Sequence, residues 1–311
     1  MKLKKISIGT YITVAFGLFF IVVASLFIYL SNYYAHKLAH DATKNNFYQL
    51  SQSVNAHLDD NYNEIDDLMK ILSLDVRSQA LVQQDELHPL YPVMKLLFKE
   101  HKSFYKMYVL DRNENIFELI ALKKMDASRI IFHAPKKADY LAIITVKETT
   151  EYLFLDANDK VLQKRKFAST LSVQKEPWYL QAKEQNEMVF TKPYKLSHSK
   201  RLGVSFAKKM GENIFCIDMN LASFNNYLAR LAPENIRILL YNNELKNVYA
   251  NSEKLQSLQL PKAVEKIVAD KIFNKLLDIT IQGKKYYLLI TPSSSLNDDL
   301  LISYVAQKRI L

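Results

Sequence analysis

The chain opens on a long apolar run. Residues 11–30, YITVAFGLFFIVVASLFIYL, carry no charge, and no Asp, Glu, Lys or Arg occurs between Lys5 and Lys37. About 20 apolar residues in helical geometry cross the hydrocarbon core of a bilayer. Lys2, Lys4 and Lys5 lie on one side of the run, and Tyr29, Tyr33 and Tyr34 on the other. Basic residues stay on the cytoplasmic side and aromatic rings collect at the interfaces. A cleaved signal peptide is the rival reading, but its apolar core would be shorter, and SNYYAHKLAH offers no small-x-small cleavage site. The pattern predicts a cytoplasmic N-terminus at 1–9 and a retained transmembrane helix at 10–32. Everything after about residue 33 then lies outside the inner membrane, in the periplasm if the host is Gram-negative.

Past the membrane the apolar positions recur every three or four residues. Phe47, Leu50, Val54, Leu58, Ile65, Leu68 and Leu72 form one stripe, with Asp59, Asp60, Asn63, Glu64 and Asp67 opposite. No Pro or Gly interrupts it, so a stalk helix is predicted over 33–75, continuous with the membrane helix. Its stripe packs on the following domain, pairs with a second copy in a homodimer, or divides between the two.

DELHPLYPVMKLLFKEHK then reads as a Pro-broken loop and a short helix. After it the period changes to two. FYKMYVL-DRNEN-IFELIAL, EYLFLDANDKVLQKRKF and RLGVSFAKKM-GEN-IFCIDMNL each read as strand, polar turn, strand. LASFNNYLARLA is a short amphipathic helix stopped by Pro233. A smaller set follows: IRILLYNNELKNVYA, a helix near 261–277, DITIQGKKYYLLI and DLLISYVAQ. The fold class is α+β: a transmembrane and stalk helix, then two antiparallel-sheet lobes, a larger one at 76–231 and a smaller one at 232–311.

Composition narrows the chemistry. The 311 residues include only 5 Gly and 1 Cys. No Gly-rich phosphate loop is present, and Cys216, inside an apolar run, supports neither a disulfide framework nor a multi-Cys zinc site. The formal net charge is +10, but the lysines are dispersed, which argues against nucleic acid as a partner. His88, His101, His133 and His198 have no metal-binding spacing. SVNAHLDDNYNEIDD lacks the Gly and terminal Glu of a calcium loop. Asp59–Asp60 and Asp298–Asp299 are adjacent and so point apart, and Ser293–Ser295 has no nucleophile elbow. No catalytic set, metal or cofactor is expected.

The single tryptophan, Trp178, sits in KEPWYLQA beside Tyr179. The run EPWYLQA…FTKPYKL…LGVSFAKKM…FCIDMNL, with the order of elements around it, resembles the double Cache domain. These are PAS-like sensors outside the membrane in bacterial chemoreceptors, histidine kinases and cyclic-nucleotide signalling proteins. FYKMYVLDRNENIFEL and FHAPKKADY look like versions found ahead of adenylate cyclase or HD-GYP outputs. The resemblance covers roughly residues 35–308. It implies a ligand pocket in the membrane-distal lobe, lined at the matching positions by Trp178, Tyr179, Tyr194 and Asp218. The amino-acid-binding pattern also has a Tyr and an Arg where this chain has Leu171 and Glu176. An Arg-to-Glu exchange inverts the charge that would meet a ligand carboxylate. Aromatic faces with Asp218 and Glu176 instead suit an ammonium, so the expected ligand is a small amine or other cation. The competing reading makes Trp178 and Tyr194 core residues and the pocket vestigial.

The function expected is therefore a membrane-anchored extracytoplasmic sensor for transmembrane signal transduction. Its relatives normally continue into a second membrane helix and an output domain. The sequence stops where that helix would begin, which leaves three readings open: a truncated gene product, one half of a split receptor with a separate output protein, or a stand-alone binding subunit. The alternative is a structural anchor, a subunit of a split or truncated receptor with no small-molecule ligand.

Overall fold

The computed structural model describes residues 8–124, 126–169, 173–197, 202–221, 227–228, 230–233, 236–242, 247–250, 260–281, 283–293 and 300–308. The chain divides into two compact units at Leu50/Ser51. Helix α1, Ile8–Leu74, begins in the first and ends in the second. The apolar run of the first unit stays bare: Phe19, Phe20 and Phe27 are 61%, 65% and 73% exposed. Side chains of this kind need an apolar surrounding that the protein does not supply. The helix is long and apolar enough to cross a membrane, and it fits a single-pass membrane protein.

In the second unit the predicted stripe turns inward. Val54, Ile65, Met69 and Leu72 are buried, while Ile71 and Leu74 remain exposed. The Asp75 carboxylate accepts from the Arg77 amide at 2.9 Å, stopping α1 and opening a 3-10 turn at Val76–Gln79. Helix α2, Tyr91–Glu100, carries Pro92 in its first turn, where no helical donor is lost.

The larger sheet contains β1 Phe104–Leu110, β2 Ile116–Ala121, β3 Tyr140–Val146, β4 Thr149–Leu155 and β5 Val161–Ala168. It continues with β6 Val189–Phe190, β7 Tyr194–Lys195, β8 Leu202–Met210 and β9 Asn213–Asn220. The strand order is β5-β4-β3-β2-β1-β9-β8-β6, with β7 also on β8, and every recorded pairing is antiparallel. The three predicted hairpins are therefore β1–β2, β4–β5 and β8–β9. Gly211 turns the last of them at φ 62°, a conformation that favours glycine. One face of this sheet packs on α1 and α2 through Met69, Leu72, Met94, Phe98, Met107, Phe117 and Ile217. The opposite face meets the short helices α3 Asp126–Ile131 and α4 Tyr179–Glu184 and their flanking loops.

The smaller sheet has β10 Ile236–Asn242, β11 Asn247–Ala250, β12 Leu277–Ile281, β13 Lys284–Pro292 and β14 Leu300–Gln307, in the order β11-β10-β14-β13-β12. It repeats the central scheme of the larger sheet, with the first strand paired to the last. Ser51 of α1 reaches it, its hydroxyl donating to Thr291 Oγ1 at 3.3 Å.

One expectation is corrected. The helix foreseen near 261–277 is α5, Leu260–Ala269. Lys271 at φ 52° ends it, with Lys271 N donating to Val268 O and Ile272 N to Ile267 O, the paired bonds of a left-handed C-terminal cap. Ile272, Phe273 and Leu277 then pack on the sheet core instead of extending the helix. Strand β3 adds to the predicted set: its buried run YLAIITV follows a polar turn. Of the helix expected over LASFNNYLARLA, Leu221, Tyr227, Leu228, Arg230 and Leu231 are helical, Ala232 lies in the bend before Pro233, and the rest lies outside the described residues.

Candidate functional site

Strand β1 runs between β2 and β9, and its alternation places Lys106 and Tyr108 on the same face. Across the ladder Glu118 lies opposite Tyr108, Asp218 opposite Lys106, and Ser205 opposite Asp218. These five side chains from four adjacent strands meet on the face turned away from α1. All five are buried, Lys106, Ser205 and Asp218 completely.

The centre of the group is an ammonium. Lys106 Nζ donates to Ser197 Oγ at 2.7 Å, lies 3.3 Å from Glu118 Oε2 and 3.7 Å from Asp218 Oδ2, and stands 4.1 Å from the centre of the Tyr108 ring. Asp218 accepts from Tyr108 OH at 2.6 Å and from Ser205 Oγ at 2.5 Å. Since the one Ser205 proton goes to Asp218, the 2.7 Å contact between Tyr194 OH and Ser205 Oγ has Tyr194 as donor. Tyr194 OH also comes within 3.5 Å of Glu176 Oε2.

Burial sets the charge states. It pushes the Asp218 carboxyl above its ordinary range, against the pull of Lys106 and the Ser205 and Tyr108 hydrogen bonds. It pushes Glu176 up too, opposed by Lys106 and helped by Asp218. For Lys106 burial acts downward, but Glu118, Asp218 and Glu176 together outweigh it and hold the ammonium charged. Cys216, also buried, has its thiol driven far up by burial, which makes it inert.

Trp178 lies next to this group, not in it. It is 1% exposed and packs on Tyr108, ring centroids 5.6 Å apart at 52°. Among the described residues nothing accepts a hydrogen bond from its indole Nε1. Tyr179 is buried as well, but its hydroxyl turns elsewhere, donating to Glu114 at 2.7 Å beside Lys183. There it borders a shallow cavity of about 140 Å³ lined also by Arg112, Lys209 and Glu212. Of the expected residues, then, Asp218, Tyr194 and Glu176 come together, Trp178 adjoins them through Tyr108, and the Tyr179 hydroxyl belongs to a separate network. Leu171 lies outside the described residues.

Sequence reasoning did not single out Lys106, Tyr108, Glu118, Ser197 or Ser205. A signal existed for two of them. Lys106 in FYKMYVL and Glu118 in IFELIA are the only charges in two otherwise apolar strands. A charge inside a buried strand is rare unless it is paired.

The architecture is a long N-terminal helix followed by two antiparallel-sheet lobes. No family model matches the chain, and no curated protein matches it. Among solved structures it is similar to the ligand-binding domain of Campylobacter jejuni chemoreceptor Tlp3 in complex with L-norvaline, with a TM-score of 0.58 and 12% identity over 86% of this chain and 91% of that one. The sensory domain of the same receptor with isoleucine bound gives 0.54 and 12%, over 86% and 93%. A methyl-accepting chemotaxis protein X gives 0.51 and 13%, over 84% and 96%. At these identities the likeness establishes the fold, and it is the fold that the Trp-Tyr and Pro-Tyr motifs resemble.

Proposed function

We propose that this chain is a membrane-anchored extracytoplasmic sensor that binds a small molecule in its distal lobe for transmembrane signalling. In this reading residues 1–9 are cytoplasmic, 10–32 span the inner membrane and 33–75 form the stalk. The distal lobe is 76–231 and the proximal lobe 232–311, both outside the inner membrane, in the periplasm if the host is Gram-negative. Two copies pair along the stalk. The ligand site comprises Trp178, Tyr194, Asp218 and Glu176, with Tyr179 at its margin.

The observation that carries the reading is the buried polar group on the sheet face away from α1. Sheet cores are apolar, and a stability role alone seldom retains two buried acids, a lysine and an indole donor without an acceptor. Two solved domains of the same fold hold L-norvaline and isoleucine, which is in keeping with a small-molecule site here.

Thermal unfolding of the full chain in detergent micelles, against amino acids, amines, small carboxylic acids and neutral amides, tests it. A compound at 100 times its dissociation constant adds about 2.7 kcal/mol, a shift of several degrees. The alternative, an anchor without a ligand, draws on the complete burial of Asp218 and Trp178. It requires that no compound shift the transition.

A further inference from the structure

The distal site already contains the kind of group its chemistry suits. A free alkylammonium seeks hydrogen-bond acceptors, carboxylates and a ring face. Lys106 Nζ has all three: Ser197 Oγ at 2.7 Å, Glu118 at 3.3 Å, Asp218 at 3.7 Å and the Tyr108 ring at 4.1 Å. The lysine does not swing in from a loop. It belongs to a strand paired on both sides, opposite Ile120 of β2 and Asp218 of β9, so its root is fixed.

We propose that Lys106 is the specificity-determining residue of the distal lobe. Its ammonium fills the cation subsite from within, so that the lobe rejects free amines and α-amino acids. The lobe takes instead a small molecule without an ammonium, held through a hydrogen-bond acceptor at the Trp178 indole N–H. The second half of this inference rests on the small-molecule sensor reading, and the first does not.

A second ammonium in the cluster would face Lys106 at short range in a poorly screened interior. The carboxylates it would need are committed: Asp218 accepts from Tyr108 and Ser205, and Glu118 faces Nζ. Glu176, half-buried, meets Tyr194 OH and is held toward its neutral form by burial. What remains among the described residues is Trp178 Nε1, a donor and never an acceptor. A buried donor without a partner is unfavourable, and an arriving acceptor relieves that cost.

Lys106→Ala removes the atoms of n-propylammonium beyond Cβ, which makes that ion the probe and 1-propanol its neutral counterpart. The readout is the melting temperature of the full chain in detergent micelles. For the native chain neither compound shifts it. Lys106→Ala melts lower, n-propylammonium restores a large part of the loss, and 1-propanol does not. If Lys106→Ala does not fold unaided, the refolding yield with and without the ion is the same test. Lys106→Met, whose stem still fills the space, gains nothing from the ion. Stabilisation of the native chain by n-propylammonium, equal rescue by 1-propanol, or no rescue at all would each overturn the proposal. The sensor reading fails separately. If no compound of the wider panel stabilises the native chain, the sensor reading is lost while rescue of Lys106→Ala still stands. If an α-amino acid stabilises it, the sensor reading stands and the Lys106 inference is lost.

Discussion

Asp218 and Lys106 show how a buried charge constrains its neighbours. Replacing Lys106 by Met leaves Glu118 and Asp218 without their cation, and removing one member of a buried pair costs about 3–5 kcal/mol. Chemical denaturation of the Met variant at neutral pH should show a loss of that order, and a loss under about 1 kcal/mol would mean that the pair is not buried as described. Asp218 also makes a pH prediction. A carboxyl whose folded pKa lies above its unfolded value binds its proton earlier in the folded chain. Stability is then gained as pH falls through the folded pKa and is fully present below the ordinary carboxylate range. The stability of the native chain relative to Asp218→Asn should therefore increase as pH falls from neutral toward the ordinary carboxylate range. A flat difference refutes the perturbation. The comparison must be with the variant, because His57 and His88, whose pKa values burial lowers, oppose the trend as they resist protonation. Little of this network could be read in the sequence. Trp178 and Asp218 stood out through motif resemblance, but Ser205 and Ser197 join only through a strand register and a loop path that no local pattern encodes.

Among the elements, those with strong local signals were legible. The β1–β2 and β8–β9 hairpins announce themselves by paired apolar runs around polar turns, and α2 by its proline. Strand β3 escaped because the two-residue turn that joins it to β4, Lys147-Glu148, has none of the Gly, Asn or Asp that mark such turns. The end of α5 escaped because lysine, not glycine, takes the left-handed cap at position 271. Two element-scale predictions follow from packing. In β8, a side chain on Gly203 would collide with the Met219 carbonyl oxygen and with Leu196. Gly203→Ala should cost about 1–3 kcal/mol, seen as a drop of several degrees in melting temperature. An unchanged transition would show that the strands can separate there. Strand β5 is the sheet edge, rich in Lys and Arg and mostly exposed, whereas β1 is buried throughout. Charged edges resist pairing with other chains. Lys164 is tied to Asp85 and to the buried Glu151, yet amide hydrogen exchange should be much faster in β5 than in β1 or β9. Equal protection would imply that something covers that edge.

For the whole molecule, the bare apolar helix and the proposed pairing of stalks can be tested together. Leu38 is 72% exposed on α1, and the native thiol, Cys216, is fully buried. In membranes under oxidising conditions, Leu38→Cys should give a disulfide-linked dimer on a non-reducing gel, while the native chain stays monomeric. Absence of the dimer for Leu38→Cys and for cysteines one helical turn away would count against pairing along this stretch.

The chain has 19 Tyr and 16 Phe but a single Trp. That indole is sealed against Tyr108 beside the Lys106 ammonium, in the larger lobe. All the indole fluorescence of the protein therefore originates at one place. Its emission wavelength, its quenching by acrylamide and its lifetime report the hydration of the buried Lys106 cluster with no label attached. The smaller lobe is dark at the same excitation, so the opening of the larger lobe can be timed by light while the other stays silent.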